Sequence, residues 1–320
     1  MVIDEQFVPA DGWRLHLKRV RDPHRLDPNR RPLLIVPGYG MNSFIFGFHP
    51  HGTSMERCFA EAGVEVWSAN LRGQGLSRKA RFSPPPPSLR RYAEQDLHAI
   101  VEAIVSRTRT SARRVDVIGA SLGGSIAYAY MALRPEHRVG SLVTIGAPLR
   151  WVDVHPALRF AFKSPRVAGM IPFYGTRSLA RAAFPLLARF PALLSIYMNT
   201  SHVDLTAAAD LTRTVENPHP SVNSDIAKWI RDKDMTLRGI NITHAMGRSD
   251  RPLLIVVANR DGIVPEAATL SARDYWGGAD VSVLRIGDDA EWFAHADLFI
   301  ANQAAQAVFA PIMAWLAARH

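Results

Sequence analysis

Residues 115–123 read VDVIGASLG, and this short run carries the strongest structural signal in the chain. Its first six residues are mainly apolar and typical of a buried strand, and the segment SLGGSIAYAYMAL that continues from it indicates a helix. The pattern Gly119-x-Ser121-x-Gly123 predicts a sharp turn between them, with the serine in a strained backbone conformation. We therefore expect the Ser121 hydroxyl at the carboxyl end of a strand and at a helix N-terminus, where negative charge is stabilised.

Strands and helices alternate on both sides of this turn. Further short apolar runs predict strands at PLLIVPG (residues 32–38), VEVWSAN (64–70), SLVTIGAP (141–148), LLIVVA (253–258) and VSVLRIG (281–287). Helical patterns fall at residues 54–62, 88–108 and 303–318. The alternation predicts an α/β fold with a parallel sheet that helices cover on both faces.

The alternation is interrupted between residues 150 and 246. This segment is rich in Ala, Leu, Phe and Arg, with scattered prolines and no clear succession of strand and helix. We predict an α/β core formed by residues 1–149 and 247–320, with residues 150–246 as a helical insertion.

The chemistry of Ser121 requires partners, because a serine hydroxyl is a poor nucleophile until a base takes its proton. A third group must fix the tautomer of that base. His295 is the predicted base and Asp261 the predicted acid, since each follows a predicted strand and the chain order Ser, Asp, His suits such a fold. Three other carboxylates near the histidine stay open as alternative acids: Asp288, Asp289 and Asp297.

Acyl transfer through Ser121 also needs N–H donors for the tetrahedral oxyanion. The Leu122 N–H is the predicted donor after the nucleophile, and the Tyr39 N–H the predicted donor from the loop after PLLIV, with Gly40 as an alternative. We expect no cofactor, because neither G-x-G-x-x-G nor G-K-[ST] occurs. We expect no metal, because His49 and His51 lack nearby carboxylates and are interpreted as loop or substrate-channel residues.

The composition is ordinary for a globular protein, with 48% hydrophobic and 21% charged residues. The single cysteine, Cys58, excludes an intrachain disulfide and paired-cysteine metal sites. The N-terminal sequence lacks the order of a signal peptide, and no apolar run is long enough to span a membrane, so we expect a soluble cytoplasmic protein. The net charge of +9 would suit nucleic acid or an anionic membrane, or reflect an arginine-rich composition. No nucleic-acid partner is expected, because no recognition motif accompanies the charge.

With these residues in place, the chain resembles the α/β-hydrolase superfamily over nearly its whole length. Residues 37–77, which include PGYGMNS and VEVWSANLRGQGLS, are similar to the acid lipase (gastric and lysosomal) and esterase branch. Two features depart from that branch. Pro37-Gly38 replaces a common His-Gly, and the turn reads Gly-Ala-Ser-Leu-Gly in place of Gly-His-Ser-Gln-Gly. A similarity to polyhydroxyalkanoate synthases also exists around PGYGMNS, but those enzymes use a cysteine where Ser121 stands.

The resemblance implies hydrolysis of a carboxylic ester through a Ser-His-Asp triad and an acyl-enzyme. Acyl transfer by the same triad and a catalytically silent binding protein stay open as alternatives. In such a fold residues 150–246 form a cap over the active site, and their Phe and Leu content indicates an apolar acyl pocket.

The first part of the cap, residues 150–190, has one acid, Asp153, and seven basic residues: Arg150, Arg159, Lys163, Arg166, Arg177, Arg181 and Arg189. The cap either makes peripheral contact with a lipid surface or packs its apolar side on the core while its arginines are solvated. The expected partner is a small-molecule ester or a lipid.

Overall fold

In the computed structural model, residues 1–170, 175, 178 and 190–320 are described. Across these residues the chain forms a nine-stranded sheet with helices on both faces and a separate two-stranded hairpin. The strands are β1 (Val2–Ala10), β2 (Trp13–Arg21), β3 (Leu33–Val36), β4 (Val66–Ala69), β5 (Arg78–Lys79), β6 (Val115–Ala120), β7 (Val139–Ile145), β8 (Thr236–Leu237), β9 (Ile240–Asn241), β10 (Leu253–Ala258) and β11 (Val281–Ile286).

The order of the strands across the large sheet is β1-β2-β4-β3-β6-β7-β10-β11, with β5 paired to β2. All pairs from β4 to β11 are parallel, whereas β1, β2 and β5 are joined antiparallel at one side. The predicted α/β class and mostly parallel sheet are therefore confirmed. The antiparallel β1–β2 hairpin is an addition that the sequence analysis did not predict.

The helices follow the strands in chain order. The α-helices are α1 (Phe44–Gly47), α2 (Met55–Glu61), α3 (Leu89–Arg91), α4 (His98–Arg107), α5 (Leu122–Leu133), α6 (Pro156–Ala161), α7 (Pro165–Met170), α8 (Pro191–Leu194), α9 (Ala208–Leu211), α10 (Pro220–Asp232), α11 (Ile242–Ala245), α12 (Glu266–Tyr275), α13 (Asp297–Ile300) and α14 (Ala310–Ala317). Two π-helical turns (Tyr92–Leu97, Ala305–Phe309) and three 3₁₀ turns (Leu205–Ala207, Thr212–Thr214, Met246–Arg248) complete the described helical segments. None of the helices in the described ranges is both long and apolar enough to cross a bilayer.

The sheet carries one hydrophobic cluster on each face. Leu34 and Val36 of β3 belong to one cluster, whereas Leu33 and Ile35 belong to the other. This alternation follows from the pleat, which points successive side chains to opposite faces. Because every residue of β3, β4, β6, β7 and β10 is buried, these strands appear in the sequence as mainly apolar runs.

The segment between β7 and β10 leaves and re-enters the core at one place. Arg150 and Asp234 form an antiparallel bridge, and the Trp151 N–H donates to the Lys233 carbonyl at 3.0 Å. Within the described part the segment is mainly helical and ends in the β8–β9 hairpin, which the sequence analysis did not predict. Of the basic residues predicted there, Arg177, Arg181 and Arg189 lie outside the described residues.

Candidate active site

Ser121 occupies a strained turn between β6 and α5. Its backbone angles are φ 51° and ψ −123°, a region that residues other than glycine rarely adopt. A Cβ atom at Gly119 would overlap the backbone of Gly124, and one at Gly123 would overlap the Val36 carbonyl. The two glycines of the motif thus allow strand, turn and helix to approach closely, and Ser121 stands at the carboxyl edge of the sheet.

Asp261 and His295 stand at the same edge, because β10 and β11 run parallel to β6 and each residue lies in the loop after one of them. His295 Nδ1 lies 2.6 Å from Asp261 Oδ2, and both residues are buried. The other carboxylate oxygen accepts from the N–H groups of Ile263 and Val264, each at 2.8 Å. Since a carboxylate can only accept, the imidazole donates through Nδ1, and in the neutral ring this leaves Nε2 as the acceptor.

Ser121 and His295 each lie beside the end of β7. The Ser121 N–H donates to the Ile145 carbonyl at 2.8 Å, and the next residue, Gly146, lies against the imidazole ring. A Cβ atom at Gly146 would be 3.0 Å from His295 Nδ1 and 3.2 Å from Asp261 Oδ2. No hydrogen bond joins the hydroxyl to the ring among the residues that the structure describes, as is common in such sites before a substrate binds.

The alternative carboxylates occupy other positions. Asp288 closes an exposed turn by accepting from the N–H groups of Ala290 and Glu291, and Asp289 is exposed. Asp297 is buried, but its carboxylate accepts from the Ala294 N–H at 2.7 Å and from the Asn199 N–H at 2.9 Å. Asp297 therefore supports the backbone that leads into the His295 loop, whereas Asp261 contacts the ring itself.

Burial shapes the chemistry of Asp297. Removal from water raises the pKa of its carboxyl to about 7, and the nearby charge of Asp261 acts in the same direction. The N–H donors of Ala294 and Asn199, together with the charge of His295, oppose this shift. The sequence indicated only that Asp297 lies close to His295, and it carried no signal for the contact with Asn199.

The two predicted oxyanion donors flank Ser121. Leu122 is the first residue of α5, so its N–H has no partner within the helix. Tyr39 follows Gly38, where an added Cβ atom would lie 2.9 Å from the Ser121 Cβ. Within the described ranges neither N–H donates to a protein acceptor. The Tyr39 hydroxyl donates to Asn223 Oδ1 of α10 at 2.7 Å, which fixes the loop against the insertion.

Two apolar cavities open beside these residues. The larger has a volume of about 250 Å³, and His295, Tyr197, Met198, Leu211 and Phe299 are among its walls. The smaller has a volume of about 60 Å³, and its walls include Ser121, Leu122, Tyr39, Ile226 and Trp229. The segment between β7 and β10 contributes walls to both cavities.

A segment that the sequence analysis did not single out borders the site. Residues 196–202, here called the linking segment, form hydrogen bonds with the loops that carry Asp261 and His295. No pattern in the sequence distinguishes these residues, because the bonds use mostly backbone groups. Within the described ranges, no group of three or more His, Cys, Asp or Glu side chains is arranged to hold a metal ion.

The outer surface of the insertion combines apolar and basic side chains. Phe160 and Met170 are largely exposed. Arg150 pairs with Asp234 at 3.1 Å, and Arg159 lies 3.8 Å from Asp153. Part of the basic character counted in the sequence is therefore matched by acids.

Comparisons with known proteins support the fold described above. A family model described as alpha/beta hydrolase fold matches residues 31–293. The esterase RhEst1 from Rhodococcus sp. ECU1013 is similar over 100% of both chains, with 16% identity and a TM-score of 0.65. A thermophilic esterase from Thermogutta terrifontis is similar over 100% of both chains, with 15% identity and a TM-score of 0.64.

A meta-cleavage product hydrolase from Pseudomonas fluorescens IP01 is similar over 98% of both chains, with 15% identity and a TM-score of 0.60. Identities this low show a shared fold and leave the reaction open. A search of the curated proteins found no match to the sequence.

Proposed function

This chain belongs to the α/β-hydrolase fold family, and from that premise we propose that it is a serine hydrolase that cleaves carboxylic esters. The observation that carries the proposal is the 2.6 Å contact between His295 Nδ1 and Asp261 Oδ2, at the edge of the sheet where the strained Ser121 stands. A base with a fixed tautomer and a serine hydroxyl at the same edge of the sheet are what nucleophilic acyl transfer requires.

The proposed reaction has two halves. His295 Nε2 takes the Ser121 proton while Oγ bonds to the ester carbonyl carbon, and the N–H groups of Tyr39 and Leu122 stabilise the oxyanion. The intermediate collapses when the carbon–oxygen bond to the alcohol breaks, and the leaving oxygen receives the proton from His295. Water then attacks the acyl-enzyme with the same base, which releases the acid and restores Ser121.

The alternatives share the same residues. An acyltransferase would pass the acyl group to an alcohol or thiol in place of water, and product analysis with competing acceptors distinguishes the two. A silent binding protein would show no turnover. The strained Ser121 beside an ordered acid–base pair favours an enzyme, because such strain persists mainly where a function uses it.

The decisive experiment compares the wild-type protein with Ser121→Ala in hydrolysis of aryl esters and in labelling by a fluorophosphonate. We expect the substitution to lower kcat/KM by roughly a thousandfold or more and to abolish labelling. Ser106→Ala is a matched control, because Ser106 lies in α4 and its hydroxyl donates to the Ala103 carbonyl. Labelling of another serine, or turnover that survives in Ser121→Ala, would contradict the proposal.

The acidity of the medium offers a second readout. Activity should fall toward acidic pH, because a protonated imidazole cannot accept the Ser121 proton.

Three finer predictions stay as proposals: affiliation with the acid lipase branch, contact between the insertion and a lipid surface, and a cytoplasmic location. The division into a core of residues 1–149 and 247–320 with a cap of residues 150–246 has the same standing.

A further inference from the structure

We propose that the two apolar cavities divide the ester between them, so that the smaller takes the acyl group and the larger takes the leaving alcohol. The enzyme would then prefer short-chain acyl esters of bulky apolar alcohols. This inference rests on the proposed ester hydrolysis, and it specifies the substrate class of that reaction.

The two cavities touch different reacting groups. Among the described residues, the walls of the larger cavity include His295, whereas Ser121 lines the smaller one. Tyr39 and Leu122 also line the smaller cavity, and they border a third, more polar cavity of about 180 Å³ whose described walls include neither Ser121 nor His295. The larger cavity thus opens beside His295, the proposed catalytic base. The smaller opens at the nucleophile and the two oxyanion donors.

The chemistry of the tetrahedral intermediate connects these positions to the two parts of an ester. The leaving oxygen must receive a proton from the His295 Nε2, so the carbon chain of the alcohol extends from the side of the imidazole. The carbonyl oxygen points to the Tyr39 and Leu122 N–H groups. The acyl chain is the remaining substituent, and it extends into the cavity that contains Ser121 and the oxyanion donors.

The volumes of the two cavities set the sizes of the acyl and alcohol groups that fit. The larger cavity holds about 250 Å³ and the smaller about 60 Å³, roughly a quarter as much. A single water needs on the order of 10–15 Å³ by this kind of measure, so the smaller cavity has room for about five such groups. That room suits an acetyl to butyryl chain. The larger cavity has room for a ring or a chain of six or more carbons.

The walls of both cavities favour apolar groups. Met198, Leu211 and Phe299 line the larger one, where the hydroxyls of Thr212 and Thr214 are already committed as donors to the Ala209 and Asn42 carbonyls. An alcohol that carries a charge would lose its hydration there without compensation.

The smaller cavity is bounded by bulky side chains. Ile226, Trp229 and Ile230 of α10 line it, and the Trp229 ring packs edge-on against Trp151 at 5.5 Å between centroids. Trp229 is 3% exposed, so lengthening this cavity would require a tightly packed side chain to move. An apolar acyl group therefore fits only while it is short. The sequence alone predicted an apolar acyl pocket and gave no length for the acyl chain.

Two ester series test this division with the wild-type protein. The first holds the acid constant as acetate and lengthens a primary alcohol from ethyl to butyl, hexyl and cyclohexylmethyl, which keeps the acidity of the leaving group similar. The second holds 4-nitrophenol constant and lengthens the acid from acetyl to octanoyl. We expect kcat/KM to rise along the first series by roughly three- to fourfold per methylene buried. Along the second series we expect a fall of at least about tenfold beyond butyryl.

Cavity variants provide a second readout. Leu211→Trp should lower kcat/KM for hexyl acetate relative to ethyl acetate at least fivefold, because the indole fills the larger cavity. Leu76→Trp is the matched control, since Leu76 is exposed and lies outside both cavities. Ile230→Ala should raise kcat/KM for the hexanoyl ester relative to the acetyl ester, and it tests the smaller cavity independently.

The outcomes separate this inference from the function on which it rests. A rise along the acyl series together with a fall along the alcohol series would overturn the division of the cavities and leave ester hydrolysis intact. A loss of long acyl esters in Leu211→Trp would do the same. No turnover of any ester by the folded wild-type protein would overturn the proposed function, and this inference with it.

Discussion

Gly146 decides how closely the imidazole of His295 approaches the turn after β7. Its φ is +56°, a conformation that glycine adopts without steric cost. An added Cβ atom would lie 3.0 Å from the Cε1 and Nδ1 atoms of the ring. Real contacts of a Cβ atom are almost always longer, so a side chain here requires His295 to shift by a few tenths of an ångström.

We predict that Gly146→Ala lowers kcat/KM for a short-chain ester by roughly tenfold, because small displacements of a reacting group have large effects on rate. Gly239→Ala is the matched control. Gly239 also has a positive φ, of +76°, but an added Cβ atom there meets nothing within 4 Å. Both variants should lose about 1 kcal/mol of stability through backbone strain, and only Gly146→Ala should lose activity. Equal activity of the two variants would show that the ring tolerates the added methyl group.

The sequence motifs predicted the three proposed catalytic residues but not how the loops that carry them pack. The sequence predicted Ser121, Asp261 and His295 because each follows an apolar strand, and parallel strands bring their carboxyl ends to one edge. It favoured Asp261 as the acid but left Asp288, Asp289 and Asp297 open, because the contact with the ring depends on where the loops run after the strands end. The separate positions of Asp261 and Asp297 result from the packing of those loops.

At the scale of elements, the linking segment, residues 196–202, couples the insertion to both site loops. The Gly262 N–H donates to the Ile196 carbonyl, the Ala296 N–H to the Tyr197 carbonyl, and the Asn302 N–H to the His202 carbonyl, at 2.7 to 3.2 Å. In the opposite direction, Asn199 Nδ2 donates to the Trp292 carbonyl at 2.9 Å. The insertion is thus attached to the loops of the acid and of the base.

We predict that Asn199→Ala lowers kcat and also lowers the free energy of unfolding by about 1–2 kcal/mol, because the partly buried Trp292 carbonyl loses its donor. Urea unfolding and ester kinetics measure the two effects. Thr206→Ala is the control within the same insertion, since Thr206 is exposed and bonds only to Asp204. If Asn199→Ala kept full kcat while losing stability, the linking segment would support the fold without positioning His295.

Elements with two buried faces were the easiest to predict. The predicted strand at residues 115–120 agrees with β6 in both bounds, and those for β3, β4, β7, β10 and β11 agree to within a few residues. The β1–β2 hairpin was missed because charged residues interrupt both strands and most residues of Val2–Ala10 are exposed or half-buried, so neither strand forms an apolar run. The short β8–β9 hairpin has too few residues to establish any period.

At the scale of the whole molecule, one buried carboxyl makes stability depend on pH. The pKa of Asp297 rises from an ordinary value of 3.8 to about 7 in the folded state. Below about pH 4 both states hold the proton. Between about pH 4 and 7 the folded state retains a proton that the unfolded chain has released, so stability from this group is lost as pH rises. Over this range the contribution of Asp297 to the free energy of unfolding falls by roughly 4 kcal/mol.

We predict that Asp297→Asn makes the melting temperature depend less on pH between 5 and 8 than it does in the wild type. The amide cannot ionise, so it removes the cost of charging a buried group, although it also disturbs the bonds from Ala294 and Asn199. Differential scanning calorimetry at both pH values measures the change. Asp289→Asn, at an exposed position, should keep the wild-type slope. Parallel slopes for the two variants would mean that Asp297 does not titrate as described.

The sequence alone determined the α/β class, the strained turn at Ser121 and the edge of the sheet at which Asp261 and His295 lie. These follow from local rules: buried strands require apolar runs, and a tight strand-to-helix turn requires glycines. Only the tertiary structure decided that Asp261 contacts the ring, that Asp297 supports the loop before it, and that a small cavity contains Ser121 while a larger one contains His295. Those features depend on how distant loops pack against the insertion, and packing of that kind leaves no periodic trace in the sequence.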